Sequence, residues 1–249
     1  MKRYKITINE DTTDIGNIQE LVVVLQALLG EEDRTVLMQL REHLVEIIGD
    51  SSGLYQLFKA LEPHDHIFLI EMLGEDVRSL FSESKQLSCL FSFLSQPGTK
   101  SLLLQNLGEG FLRETIHDPE ELSEILEWVY EEDDMILLKM LGEGYNRTLY
   151  HNGAELSMVL HNINIEVQEW YLNFIGIDLL SELTMSWKDL ALLLRALPHD
   201  LGCMYLAKLK PDKLSALIRN RSEWKKLSGF LEPEEEDYLK EMMGSEYAK

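Results

Sequence analysis

Large apolar residues return along this chain at two periods. The short period is helical: Leu122, Ile125, Leu126 and Val129 stand at i, i+3, i+4 and i+7, one face of an α-helix. The other is a 34-residue period. A large apolar residue precedes glycine at Leu73-Gly74, Leu107-Gly108, Leu141-Gly142 and Ile175-Gly176, each pair one long period after the last. The register continues at Leu209-Lys210 and Met243-Gly244. Cutting there yields six gapless units, 41–74, 75–108, 109–142, 143–176, 177–210 and 211–244, preceded by an imperfect unit at about 14–40.

Other apolar columns keep the same register. Leu122, Leu156, Leu190 and Trp224 share one position, Leu104, Leu138, Leu172 and Leu206 a second, and Leu112, Leu180 and Leu214 a third. Local signals divide each unit. In His117-Asp118-Pro119-Glu120-Glu121, Asp118 can cap a helix, Pro119 fits its first turn, and the glutamates suit the positive dipole end. A second helix runs to about Leu141 and stops at Gly142. A short third piece follows, as in Asp178–Leu183, and Pro211 opens its counterpart. Two helices of about 9–11 residues plus a short helical turn are therefore expected per unit.

Such a unit cannot bury its apolar stripe alone, and stacked neighbours build one continuous core. The expected fold is all-α: a right-handed α-solenoid of about seven 34-residue repeats in a single domain, 14–244. Residues 1–13 read as an N-terminal arm, in which only Tyr4–Ile8 alternates like a strand, and 245–249 as a C-terminal tail. Whether Gly74, Gly108 and Gly142 end or kink the helices is left open by the pattern.

The 34-residue period is similar to that of tetratricopeptide repeats, over residues 41–244. The family's Trp-x-x-Leu-Gly-x-x-Tyr signature is missing from segments such as Leu122-Ser123-Glu124-Ile125-Leu126, so the resemblance implies a tetratricopeptide- or HEAT-like solenoid and no transferable peptide-binding residues. Ala196-Leu197-Pro198, a Tyr205-Leu206 helix and Lys210-Pro211-Asp212-Lys213-Leu214 also resemble helical repeats in effectors of intracellular bacteria. Glu234-Glu235-Glu236-Asp237 resembles the glutamate-rich translocation signal of some type IV secretion effectors. The competing reading is an acidic inter-helix loop, because Glu131-Glu132-Asp133-Asp134 occupies nearly the same place in an earlier unit. The resemblance implies delivery into a host cytosol and binding of a host protein or another effector.

Charge narrows the partners. The 249 residues carry 44 acidic and 23 basic side chains, a formal charge of −21. Such a field repels phosphate backbones and favours a basic protein surface, so no nucleic-acid partner is expected. No apolar run approaches the ~18 residues of a membrane span, and Met1–Glu10 lacks the apolar stretch of a secretory signal. Cys89 and Cys203 form no disulfide framework and suit a reducing, cytoplasmic setting.

Candidate chemistry is sparse. His64-Asp65-His66, His117-Asp118 and His199-Asp200 lack a convergent ligand set, and Asp65 and Asp200 read as caps of second helices. Cys89 lies in an apolar helical run and reads as a buried, inert thiol. Cys203 follows His199 by four residues, within reach across one turn. Gly108-Glu109-Gly110 and Gly142-Glu143-Gly144 lack the features of phosphate loops and read as helix stops. No metal, cofactor or catalytic residue is expected. The favoured function is non-catalytic protein binding, with acids steering and aromatics anchoring. The candidate contact residues are Trp128, Glu131, Glu132, Asp133, Asp134, Trp170, Trp187, Arg219 and Arg221. The alternatives are a direct inhibitor of a basic-surfaced enzyme and an enzyme with its site on the solenoid.

Overall fold

The computed structural model describes residues 2–28, 32–130 and 132–243. Those residues are all-helical apart from one short hairpin. Two compact units divide the chain, Met1–Ile116 and His117–Lys249.

The first unit opens with the antiparallel pair β1 (Tyr4–Ile8) and β2 (Asp11–Ile15), in register from Tyr4–Ile15 to Ile8–Asp11. Asn9 and Glu10 turn the chain with φ of 49° and 74°, as a two-residue hairpin loop requires. The segment read as an arm is thus part of a hairpin reaching Ile15. Ile6 and Ile15 are buried, and the Gln39 amide completes the outer edge of β1: it donates to the Thr7 carbonyl and accepts from the Thr7 N–H. There follow α1 (Ile18–Ala27), α2 (Glu32–Leu40), α3 (Leu44–Ile48), α4 (Ser51–Ala60) and α5 (His66–Leu73). A 3₁₀ stretch (Gly74–Leu80), α6 (Ser84–Phe93) and α7 (Thr99–Thr115) complete the unit.

The second unit is built of α8 (Pro119–Leu126), α9 (Glu132–Leu141), α10 (Glu143–Leu149), α11 (Gly153–Asn162), α12 (Ile165–Ile175), α13 (Ile177–Leu183), α14 (Trp187–Ala196), α15 (His199–Lys208), α16 (Pro211–Leu217), α17 (Arg221–Ser228) and α18 (Pro233–Met243). First helices begin at Pro119, Gly153, Trp187 and Arg221, and third helices at Glu143, Ile177 and Pro211, in each case one long period apart.

Polar side chains fix where first helices start. Asp118, Asn152, Ser186 and Asn220 each accept the backbone N–H three residues on, at Glu121, Glu155, Asp189 and Glu223. Each of those acids reaches back to the N–H just ahead of the cap, at His117, His151, Met185 and Arg219. Each start thus satisfies one orphan donor of the helix and the N–H ahead of the cap, worth about 1 kcal/mol for the cap alone. Asn17 and Glu20 repeat the device at α1.

Glycine ends the second helix. Gly108, Gly142 and Gly176 have φ of 72–82° and ψ of 123–161°, a region essentially closed to other residues. Helicity resumes at the next residue, so each glycine is a one-residue break and not a bend in a single helix. Gly74 has positive φ as well, 52°.

Neighbouring triplets pack through equivalent helices. In the second unit α8 packs on α11, α11 on α14 and α14 on α17, while α9 packs on α12 and α15 on α18. Leu122, Leu156, Leu190 and Trp224 are buried at these contacts, and each fully buried leucine contributes about 1.5–3 kcal/mol. Hydrogen bonds fasten the same seams. Ser123 and Ser157 donate their hydroxyls to the carbonyls of Met158 and Leu192, 35 residues on in both cases. Arg147 on α10 donates to the Ile175 carbonyl at the end of α12, 2.6 Å away. In the first unit Arg78 does the same to Asn106, again 28 residues on.

Candidate functional site

The sequence candidates fall on different elements and in different environments. Glu131 lies outside the described residues. Glu132 is exposed and Asp133 partly exposed, both in the first turn of α9. Asp134 is fully buried, and its carboxylate accepts the Asn164 N–H at the start of α12, 2.9 Å away. It therefore joins two successive second helices and cannot meet a partner as a free charge. The acidic run is not an inter-helix loop either. Glu132, Asp133 and Asp134 form the first turn of α9, as Glu234, Glu235 and Glu236 do in α18, where the dipole favours them.

Trp170 is half-buried on α12. Its ring stacks on Phe174 with centroids 4.9 Å apart, and the Lys139 ammonium of α9 stands 5.1 Å from its centroid. Trp187 opens α14, half-buried, with the Lys226 ammonium 5.9 Å from its ring. Trp128 is half-buried just beyond α8. Arg219 and Arg221 are exposed on either side of the Asn220 cap, and the Arg219 side chain donates to the Ala216 carbonyl. The eight described positions fall on several elements and line no common pocket.

His199 and Cys203 do meet, with Nε2 and Sγ 3.7 Å apart on α15. The electrostatics oppose a nucleophile: burial and then the carboxylates of Glu235, Asp200 and Glu234 push the thiol pKa up. Glu235 is itself buried. One oxygen accepts the Glu232 N–H, 3.1 Å away, and the other occupies the space left by the missing side chain of Gly202. Burial raises its pKa. One of the four acids of the C-terminal run is thus a packing group between α15 and α18.

The remaining histidine and cysteine readings change in detail. Asp65 makes no capping bond to its helix and instead pairs with Arg34 at 2.5 Å and His64 at 3.3 Å. Asp200 sits inside the first turn of α15, whose cap is Pro198. His66 is buried with Nε2 2.9 Å from the Phe58 carbonyl. No group of three or more metal-binding side chains occurs among the described residues. Cys89 is exposed and not buried, because the apolar face of α6 is carried by Leu87, Leu90 and Phe91 while Cys89 turns outward. It lines a groove of about 520 Å³ with Ser51, Tyr55 and Glu83.

No protein-family model matches the chain, and comparisons with curated proteins and with solved structures return no match either. No helix of the described residues is long and apolar enough to cross a membrane.

Trp170 reads as a non-repeating aromatic, yet the equivalent position holds Ile136 one repeat earlier, Met204 one repeat later and Tyr238 in the repeat after that, all large and none fully buried. The column escapes notice because its residues share size and not identity.

Proposed function

We propose that the protein is a non-catalytic binding module, a stack of about seven helical repeats whose repeated outer positions form a docking surface for a basic protein. The observation that carries this reading is the seam chemistry of the second unit. Equivalent helices of successive triplets pack on one another, and the equivalent residues Ser123 and Ser157 bond across two of the first-helix seams. Stacking of that kind spends the apolar faces on neighbours and leaves the same outward positions in every repeat. The formal charge of −21 supplies steering toward a basic surface, and electrostatics of this type act mainly on encounter rate and partner choice. The effector resemblance adds that the partner is a host protein, or another effector, met in the host cytosol.

The test is affinity capture by the full chain, followed by binding to the identified partner across a salt series. Affinity that falls as salt rises, with no chemical turnover by the chain, supports the reading. Salt-independent binding removes the steering. Conversion of the captured molecule, lost on His199→Ala or Cys203→Ala, overturns the non-catalytic reading. Slowed turnover of a captured enzyme at saturating chain favours the inhibitor form of the same binding role.

A further inference from the structure

Every second helix of the second unit begins with the same two-part pattern. Glu132, Glu166, Asp200 and Glu234 stand at one position of α9, α12, α15 and α18, each one repeat after the last, and all four are exposed. None makes an ion pair with a described basic residue. Four residues later, on the same helix face, come Ile136, Trp170, Met204 and Tyr238, large apolar residues that are half-buried or, for Met204, 43% exposed. A row of carboxylates thus runs beside a row of incompletely covered apolar side chains. Direct packing sets α9 beside α12 and α15 beside α18, and α13 contacts both α12 and α15 between those two pairs.

We infer that the two rows together form a docking track for an amphipathic helix of a partner protein, with apolar residues on its contact face and lysines or arginines along one flank. The inference rests on the protein-binding reading above and specifies its surface. Charge complementarity selects the occupant: four unpaired carboxylates beside apolar side chains disfavour an acidic or purely apolar segment. Spacing agrees. Packed helices stand about 8–10 Å apart, and residues seven apart on a partner helix advance about 10.5 Å, so basic residues one heptad apart can meet the two carboxylates of each packed pair, Glu132 with Glu166 and Asp200 with Glu234. The apolar row lies about 6 Å along from the carboxylates, within the 10–12 Å breadth of a helix lying across the track. Lys139 over Trp170 shows that this row already accepts an aliphatic ammonium.

The probe is a synthetic amphipathic peptide of about four heptads, with leucine on one face and one lysine per heptad on the flank. Its controls carry glutamate for lysine or a scrambled order. Binding to the full chain is measured by fluorescence anisotropy, and peptide helicity by circular dichroism. One variant neutralises the row, Glu132→Gln, Glu166→Gln, Asp200→Asn and Glu234→Gln. A second removes as much charge from first helices, the residue just after α8 and third helices, Glu120→Gln, Glu127→Gln, Glu143→Gln and Glu182→Gln. Thermal melts check that both fold. The row variant is expected to bind the basic peptide at least about tenfold more weakly, the second variant less than about threefold, and the bound peptide to be helical. Trp170→Ala and Met204→Ala are expected to weaken binding at unchanged salt dependence. Equal losses in the two charge variants, equal binding of the glutamate peptide, or a bound peptide without helix overturns the track. A natural partner that still binds the row variant overturns the track while leaving the binding role intact, whereas a chain that binds no protein at all removes both.

Discussion

The hydroxyl of Tyr205 bonds to that of Thr184 inside the helical core, 21 residues back along the chain. One repeat earlier, Tyr171 bonds in the same way to Tyr150, also 21 residues back. One repeat later the two positions hold Ile218 and Leu239, both fully buried. The pair therefore changes together: two hydroxyls that satisfy each other, or two hydrocarbons. Thr184 passes its own proton to the Leu180 carbonyl, 2.6 Å away, which leaves the phenol of Tyr205 as donor to Thr184. Burial holds both Tyr171 and Tyr205 above the ordinary phenol pKa.

This pairing sets up a double-mutant cycle. Tyr205→Phe alone removes a donor and leaves the Thr184 oxygen short of one partner; Thr184→Val alone leaves the buried phenol only the Leu180 carbonyl, 3.4 Å away. Each single change is expected to cost about 1–3 kcal/mol. The double variant is expected to lose less than the sum, by at least about 0.5 kcal/mol, because no polar group is left alone. Chemical denaturation of the four proteins measures it. Strict additivity would mean that the two hydroxyls do not depend on each other.

The helical class, the 34-residue register and the place of the third helix were all legible in the sequence. They follow from side-chain volume and from glycine and proline, which act locally. Asn146 shows what was not. It sits in the column of Leu112, Leu180 and Leu214, yet it is buried, donates to the carbonyls of Leu138 and Gly142, and accepts from Tyr171. A buried amide reads as a break in an apolar column until the partner three-quarters of a repeat away is known. The acidic runs failed for a related reason. Asp134 and Glu235 look like their exposed neighbours in composition, and only the facing helix decides which carboxylate is covered. The caps Asp118, Asn152, Ser186 and Asn220 stand at the same spacing and follow a known preference, but only Asp118 is followed by a proline that marks the helix start.

Gly142 and Gly144 are expected to respond to alanine with opposite signs. Gly142 has φ 79° and ψ 151°, where any Cβ is strained. Gly144 lies within α10, and a Cβ there would meet nothing within 4 Å. Gly142→Ala should therefore destabilise by about 1–3 kcal/mol. Gly144→Ala should stabilise by about 0.5–1 kcal/mol, the usual gain at an open helical glycine. Thermal melts of the two variants decide it, and a destabilised Gly144→Ala would mean that the residue is not helical in solution.

Helix starts should weaken independently of one another. Asn152 and Asn220 cap α11 and α17 through equivalent bonds of 3.0 Å to Glu155 and Glu223. Asn152→Ala and Asn220→Ala are each expected to cost about 1 kcal/mol, and either residue replaced by aspartate or serine should lose much less. Hydrogen exchange at Glu155 and Glu223 is the local check. Unchanged protection in the alanine variants would show that the caps contribute nothing.

His66 makes the stability of the first unit depend on acid. Nε2 donates to the Phe58 carbonyl, and Nδ1 is buried without a hydrogen-bond partner, so a second proton would put charge on a ring shut off from water. The rings of Phe58 and Phe93 lie against the imidazole. Burial lowers its pKa from the ordinary 6.5, against an opposing pull from the carbonyls of Phe58 and Leu61 and the carboxylates of Asp65 and Glu62. A depressed folded pKa means that the unfolded chain takes the proton first. The stability His66 contributes is complete above about 6.5 and is lost as pH falls through that value toward the folded pKa. Gln168 occupies the same column three repeats on, and its Nε2 makes the same bond to a carbonyl eight residues back, at Leu160. His66→Gln should therefore keep the hydrogen bond, since glutamine offers the same donor with no proton to gain. Urea denaturation between pH 7.5 and pH 5 compares the two proteins. The wild type is expected to lose stability more steeply than the variant below about pH 6.5. Parallel pH profiles would show that His66 does not titrate with folding.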